Sequence, residues 1–414
     1  MKMLIEKIKN HNLLFYVLFL IFYSISLNPT PQSIGYLQLV ILIFFILFCV
    51  PALITYLKNL LKFQKLEKSI FIIFVYLIFQ YYFLTKFDFR ELCFYTDLDN
   101  KQIVRDLIGF CYFFIPYVFV KNFEKIELKK VIFATSIISI FGVLFLNLYN
   151  QYLVDAYKYY YFNSLHPYND PLYLFGLSFL LLYSFKDIKN NNLNTIFIFI
   201  FLNIIFIFYA VYLYTASNKL AILQYCFLVS IIICNLLYKN KKLIIIFKHL
   251  TNKKKYFFYT LMILLLLIFL IFFNRFDNLL SSRFIEIIET KDILFYDYLN
   301  MMFGLGIGSE FYISYFGREV SFIHIFVYYI LLKIGLIGIT LLIFYFHNIL
   351  NFSKYNFFNF YKLFKIKKNN VIFTASLIIL LGGFFVYTYY KYLSFWIIVS
   401  LVILEQKKIR NEIL

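Results

Sequence analysis

Residues 303–338 read FGLGIGSEFYISYFGREVSFIHIFVYYILLKIGLIG, and we expect the rest of the chain to be organised around them. The stretch opens with three alternating glycines, continues with a short polar and aromatic segment, and places His324 at the mouth of an apolar helix. Gly335 and Gly338 lie deeper in that helix. We expect the other helices to form a cage around this stretch and the polar loop before it.

The composition predicts a membrane protein. Of the 414 residues, 63% are hydrophobic and only 15% are charged, which excludes a soluble domain of this length. Several apolar runs approach or exceed the roughly 18–20 residues that span a bilayer as a helix. Because a bilayer offers the backbone no hydrogen bonds, these runs must be helical. The sequence therefore predicts an all-α, polytopic membrane protein with one integral membrane domain, residues 1–414.

The apolar runs predict about twelve spans. The first run lacks a small-residue cleavage site before Pro29, so we interpret it as a retained helix. The predicted spans cover residues 13–27, 33–56, 69–85, 103–120, 131–149, 169–185, 195–214, 217–238, 256–273, 321–346, 371–387 and 390–404.

The basic residues predict the orientation. With the N-terminus inside, 28 Lys and Arg residues fall in inner segments and 10 in outer segments. The positive-inside rule then places both termini in the cytoplasm and the long loop 274–320, between spans 9 and 10, outside. This distribution also explains the net charge of +19 without nucleic acid as a partner. The five cysteines show no paired spacing and are expected to be free thiols.

The outer loop contains a predicted amphipathic helix at residues 275–289. Its apolar residues, among them Phe284 and Ile288, occupy one arc, and polar residues such as Glu286 fill the other. We expect this helix at the outer membrane-water interface or over the mouth of the bundle, with its polar arc toward water. Arg283 falls within the apolar arc and would then point inward rather than to bulk water. It is either a snorkelling arginine that meets lipid head groups or a clamp for a diphosphate, whose geometry the guanidinium group matches with two donors.

Three other cations fall in or beside apolar spans. His324 is either a structural histidine at the interface or a base and hydrogen-bond donor suited to neutral pH. Lys219, at the outer end of span 8, is either an interfacial anchor or part of an anion site. Lys333 lies about 13 Å deeper along the helix than His324. It requires a carboxylate or a water-filled cavity.

The glycines have a structural interpretation. Gly304, Gly306 and Gly308 follow no predicted strand, so we expect a tight turn back into the membrane rather than a dinucleotide site. Gly335 and Gly338 are expected to permit close helix packing. The sequence contains no motif with paired metal ligands, and we expect neither a metal nor a cofactor.

The chain resembles the bacterial O-antigen polymerase and O-antigen ligase superfamily of integral membrane glycosyltransferases. The resemblance includes the twelve-span topology with its largest outer loop between spans 9 and 10. The chain departs from the family pattern at Lys219, where the family usually has arginine. The matching segments are Ser281–Arg283 with Phe303–Gly308, His324 with Gly335–Gly338, Ser217–Lys219, and His166–Pro167.

The resemblance implies a metal-independent transfer at the periplasmic face of the bacterial cytoplasmic (inner) membrane. In a polymerase, a growing glycan moves from undecaprenyl diphosphate to a sugar hydroxyl of a new lipid-linked repeat unit. Arg283 and Lys219 would bind the diphosphate, with Arg275 and Arg318 in reserve, and His324 would contact the acceptor hydroxyl or a phosphate. The implied partners are the undecaprenyl diphosphate-linked oligosaccharide and the bilayer, with a chain-length regulator and a flippase as further candidates.

Three alternatives stay open at this point. Within the family, an O-antigen ligase would transfer the glycan to lipid A–core instead. A lipid-linked oligosaccharide flippase would show two similar halves and a charged central cavity, whereas here a single outer loop dominates. A sugar O-acyltransferase would carry its histidine toward a cytoplasmic acyl donor, and His324 is predicted on the other side.

Overall fold

The computed structural model describes most of the predicted spans. The described residues are mostly helical. The predicted span 256–273 lies outside them, as does the Tyr-rich outer segment before residue 170. The described ranges are 11–24, 36–86, 100–123, 128–152, 170–187, 198–205, 224–230, 232, 284–314, 317–320, 323, 325–350, 371–385 and 392–411.

Eleven helices with defined ends lie within these ranges. Further helical residues occur at 198–205, 224–230 and 284–295. The eleven helices are α1 (Asn12–Ser24), α2 (Tyr36–Leu61), α3 (Lys65–Lys86), α4 (Asn100–Cys111), α5 (Ile115–Phe123), α6 (Leu128–Tyr152), α7 (Pro171–Asp187), α8 (Tyr298–Phe303), α9 (Phe326–Leu350), α10 (Val371–Phe385) and α11 (Leu393–Asn411).

Three described helical regions are long and apolar enough to cross a membrane: Val40–Leu61, Asp106–Phe123 and Phe326–Ile349. α1, α7 and α10 carry shorter apolar segments. The composition therefore correctly predicted a helical protein with helices that can span a membrane. The count of about twelve spans stays a prediction. The predicted span 103–120 is divided: a short 3-10 turn, Tyr112–Phe114, separates α4 from α5.

The helices pack into a core rich in aromatic side chains. α1 packs against α2 and α6, α7 against α6 and α10, α11 against α5, and α9 against α3. The chain's single tryptophan, Trp396, is fully buried in this core. Its ring centroid lies 4.6 Å from that of Phe113 and 6.2 Å from that of Phe346. Trp396 of α11 thus contacts both the 3-10 turn and α9.

A charged cluster joins helix ends on the predicted cytoplasmic side. Glu67 in α3 pairs with Lys121 in α5 at 3.2 Å. Asn59 and Tyr117 donate hydrogen bonds to the same carboxylate at 3.0 and 2.9 Å. We call these four residues the inner cluster. Burial would raise the pKa of Glu67, but the two hydrogen bonds and the charge of Lys121 outweigh it and lower that pKa.

One small sheet departs from the all-α prediction. Strands β1 (Phe311–Ile313) and β2 (Arg318–Val320) pair antiparallel, with Phe311 opposite Val320 and Ile313 opposite Arg318. Phe311 and Ile313 are buried and Tyr312 between them is exposed, as the two-residue period of a strand requires. Gly317 at the turn has a φ of 59°, which favours glycine.

Candidate functional site

The helix that follows His324 is interrupted at Gly335. This residue has φ 63° and ψ −172°, so α9 consists of an outer half, residues 326–334, and an inner half. A break of this kind frees backbone carbonyl groups, and inside a membrane these must find other partners. The groups concerned belong to Leu332, Lys333 and Ile334.

The glycine-rich segment supplies most of these partners. The N–H groups of Leu305 and Gly306 donate to the freed carbonyls of Leu332 and Lys333 at 2.5 and 3.1 Å. The Tyr76 hydroxyl of α3 donates to the carbonyl of Ile334 at 2.7 Å. We call this contact between residues 304–309 and residues 332–335 the glycine joint.

Glycine is required where the two backbones meet. A Cβ on Gly335 would lie 2.3 Å from the Met302 carbonyl oxygen, and a Cβ on Gly304 would lie 2.6 Å from the Gly335 nitrogen. Gly304, Gly306 and Gly308 have φ values of 75°, 94° and 84°. Gly338 differs, because its Cβ would meet the Ile334 side chain of the same helix at 2.5 Å. The positive φ values of Gly304, Gly306 and Gly308 fit the expected tight turn, whereas Gly335 lies at a helix break and Gly338 contacts its own helix, rather than permitting the expected packing between helices.

A buried ion pair stabilises the glycine joint. Lys333 Nζ lies 2.7 Å from Asp106 Oδ2, and the two side chains are 0% and 2% exposed. Lys333 also donates to the Ser309 carbonyl at 2.5 Å. Asp106 accepts hydrogen bonds from the Gly308 N–H and the Tyr329 hydroxyl, both at 2.9 Å. Asp106 is therefore the carboxylate that the depth of Lys333 in the membrane required.

The glycine-rich segment does not resemble a phosphate-binding loop. The N–H groups of Leu305, Gly306 and Gly308 all donate to protein acceptors. In a phosphate-binding loop such groups would point at the anion. The segment is instead a backbone plug for the broken helix, and any anion site must lie elsewhere.

Helix α3 also contacts the glycine joint, through Tyr76 and Gln80. The Gln80 side-chain amide donates to the Tyr76 hydroxyl at 2.7 Å and also to the Phe303 carbonyl. Both side chains are buried. They are four residues apart and so lie on one face of α3. α3, α4 and α9 thus converge on the joint.

The outer loop is connected to the same assembly. Glu289, in the helical residues 284–295, accepts hydrogen bonds from the Ser314 N–H at 2.8 Å and from the Ser314 hydroxyl. Asp297 caps α8 by accepting from the Leu299 N–H at 3.2 Å. Residues 284–314 therefore continue without a gap into the joint and the β-hairpin. We call residues 284–335 the outer unit.

Most of the predicted site residues lie outside the described part of the chain: Lys219, Arg275, Arg283 and His324. Arg318 lies in β2 opposite Ile313, and its side chain is also outside the described set. The first described helical residue of the outer loop is Phe284, which follows Arg283 in the chain. Ile323 and Ile325, which flank His324 in the chain, are both buried.

The orientation of the outer helix differs from the prediction. Its described part, 284–295, continues beyond the predicted end at residue 289. Phe284 and Ile288 are 60% and 58% exposed, whereas Glu286 and Thr290 are fully buried. The expectation that Glu286 lies on a solvated face is therefore wrong. In a membrane protein, apolar side chains can face lipid while polar ones turn to protein partners.

Sequence reasoning missed two features of this site. It predicted that Lys333 requires a carboxylate or a cavity but did not identify Asp106 as its partner. Two opposite charges within apolar spans, each of which needs a partner inside the membrane, are the signal that could have done so. It also missed the hairpin, for which Gly317 between two short aromatic runs was the available signal.

No protein-family model, curated protein or solved structure matches the chain. Within the described residues, no three His, Cys, Asp or Glu side chains lie close enough together to hold a metal ion.

Proposed function

We propose that this chain is a membrane glycosyltransferase of about twelve spans that polymerises oligosaccharide repeat units at the periplasmic face of a bacterial inner membrane. It would transfer a growing glycan from undecaprenyl diphosphate to a sugar hydroxyl of a new lipid-linked unit, without a metal. The observation that carries the proposal is the outer unit, because it connects the chain segments that adjoin Arg283 and His324.

The outer unit connects the chain that follows Arg283 to the chain around His324. In the chain, Arg283 is followed by the helical residues 284–295, which are hydrogen-bonded through Glu289 and Ser314 to the end of β1. His324 lies between β2 and α9. A transferase that binds a diphosphate with one residue and orients a hydroxyl with the other needs such a common support.

The chemistry needs little from the protein beyond charge and orientation. The acceptor hydroxyl oxygen forms a bond to the anomeric carbon, and the bond from that carbon to the diphosphate oxygen breaks. The hydroxyl proton goes to His324, and the departing diphosphate keeps the bonding electrons. Arg283 and Lys219, with Arg275 and Arg318 in reserve, would stabilise its negative charge.

The broken helix does not favour the transporter alternative. In secondary transporters, interrupted helices leave backbone groups open to substrates and ions near the bilayer midplane. Here the three carbonyl groups named above accept hydrogen bonds from Leu305, Gly306 and Tyr76. The ligase alternative shares the same donor and is separated from the polymerase by its product.

The test is deletion of the gene, followed by gel analysis of surface glycans and complementation with single variants. Arg283→Ala is compared with Lys291→Ala, which removes an exposed cation from the same outer helix. His324→Ala is compared with His347→Ala, near the opposite end of α9. Protein levels in the membrane fraction are measured for every variant.

If the chain is a polymerase, deletion should leave a single repeat unit on lipid A–core. Arg283→Ala and His324→Ala should then fail to restore the ladder of long glycans on the gel, whereas both control variants should restore it. Bare core with long polymer on undecaprenyl diphosphate would identify a ligase. Repeat units trapped on the inner leaflet would identify a flippase and overturn the proposal. A normal ladder with Arg283→Ala would remove Arg283 from the site.

A further inference from the structure

We infer that Asp106 and Lys333 are positioning residues for the transfer reaction, an inference that rests on the proposed function. Neither is proposed to touch substrate. Their role is to close a circuit of chain that holds the segment containing His324.

The circuit follows the order of the chain, and residues 315–316, 321–322 and 324 within it lie outside the described part. From Ser309, whose carbonyl accepts from Lys333, the chain enters β1, turns at Gly317 and returns as β2. The short connection 321–325 then contains His324 and leads into the outer half of α9. That half-helix ends at Lys333 and the break, where it meets the glycine-rich segment again. Both sides of His324 are therefore anchored at the same ion pair.

The pair has a fixed direction. Asp106 accepts hydrogen bonds from Gly308 and Tyr329, and Lys333 donates to the Ser309 carbonyl. Exchanging the two residues would place an ammonium group against an N–H donor and a carboxylate against a carbonyl oxygen. A salt bridge that only links two helices should tolerate such an exchange. A pair that also organises a loop backbone should not.

The inner cluster provides a matched control. Glu67 and Lys121 also form an ion pair with supporting hydrogen bonds, but they lie on the predicted cytoplasmic side. Removing them should lower stability without a specific effect on the transfer step.

The experiment uses the full-length protein, purified in detergent, with lipid-linked repeat units as donor and acceptor. The joint variants are Asp106→Asn, Lys333→Met, the exchange Asp106→Lys/Lys333→Asp, and the conservative Lys333→Arg. The control is Glu67→Gln/Lys121→Met. For each folded, monodisperse preparation we would measure kcat, KM for the donor, and amide hydrogen exchange of peptides within residues 318–334. If a neutral variant does not fold, Lys333→Arg tests the same claim, because it keeps the charge and alters the donor geometry.

The inference predicts that the joint variants lose about 100-fold in kcat with donor KM nearly unchanged, as expected for misplaced reacting groups. Exchange in 318–334 should rise, the exchanged pair should not rescue activity, and the control should resemble the wild type in kcat. Unchanged kcat in folded joint variants, or an equal loss in the control, would overturn the inference. A wild-type protein that makes no polymer overturns the proposed function, and the exchange data then report separately on whether the joint holds this segment.

Discussion

Two buried ion pairs in the described part of the chain differ in what they hold. The inner cluster joins α3 to α5, and Lys121 keeps 20% of its side chain exposed. The Asp106–Lys333 pair has almost no exposure and bonds to backbone groups of a loop as well as to side chains. The first pair connects two finished helices. The second connects α4 to the broken helix α9 and to the backbone of the glycine-rich segment.

The largest effect should come from filling the space at the break. Gly335→Ala would place a Cβ 2.3 Å from the Met302 carbonyl oxygen at a φ of 63°. Because backbone must move, we expect little folded protein. Gly109→Ala in α4 is the control, since nothing lies within 4 Å of its Cβ. It should be neutral or stabilising by up to about 1 kcal/mol. Size-exclusion profiles of the solubilised variants measure the difference, and equal yields would contradict the close backbone contact.

The next effect compares the two lysines. Lys333→Met leaves a buried carboxylate without its cation, which typically costs about 3–5 kcal/mol. Lys121→Met also leaves a carboxylate of 1% exposure, Glu67, without its cation, but Lys121 itself is 20% exposed, so water reaches this pair and the cost should be smaller, about 1–3 kcal/mol. Thermal unfolding in detergent compares the two variants. Similar losses would mean that burial does not distinguish the pairs.

A smaller effect should follow from removing one hydroxyl group. Tyr329→Phe deletes a hydrogen bond to the charged Asp106, worth about 1.5–3 kcal/mol. The neighbouring Tyr328→Phe is the control. We expect a lower midpoint of thermal unfolding only for Tyr329→Phe, and an equal shift for both would argue against the bond.

The smallest effect concerns pH and the inner cluster. Because the folded-state pKa of Glu67 lies below its ordinary value of 4.5, its contribution to stability is complete above that value and is lost as the pH falls through the lowered pKa. Glu67→Gln should therefore reduce the difference in unfolding temperature between pH 7 and pH 4. A variant with the wild-type pH dependence would show that Glu67 is not responsible.

The sequence predicted those parts of the fold that depend on local pattern. Apolar runs predicted the helices, and the start of α7 is likewise set by local residues. Asp170 accepts from the Leu172 N–H at 2.7 Å, and Pro171 begins α7. A proline at the first helical position and an acidic cap are local features, so they can be identified without knowledge of the fold.

The joint could not be predicted in the same way because its parts are far apart in the chain. Asp106 and Gly308 are separated by 202 residues, and Gln80 and Phe303 by 223. The break at Gly335 is stable only because Leu305 and Gly306 occupy the freed carbonyls, which no local pattern indicates. The wrong expectation for Glu286 has a related cause: periodicity defines two faces of a helix but does not say which one meets protein.

The most direct test of the account is amide-resolved hydrogen exchange of the wild-type protein at Leu305 and Gly306. Both N–H groups donate to the broken helix, so we predict that they exchange as slowly as helical amides in the outer half of α9. Exchange at the rate of an open loop would show that the glycine-rich segment does not fill the break. The joint, and the positioning role inferred for Asp106 and Lys333, would then be contradicted.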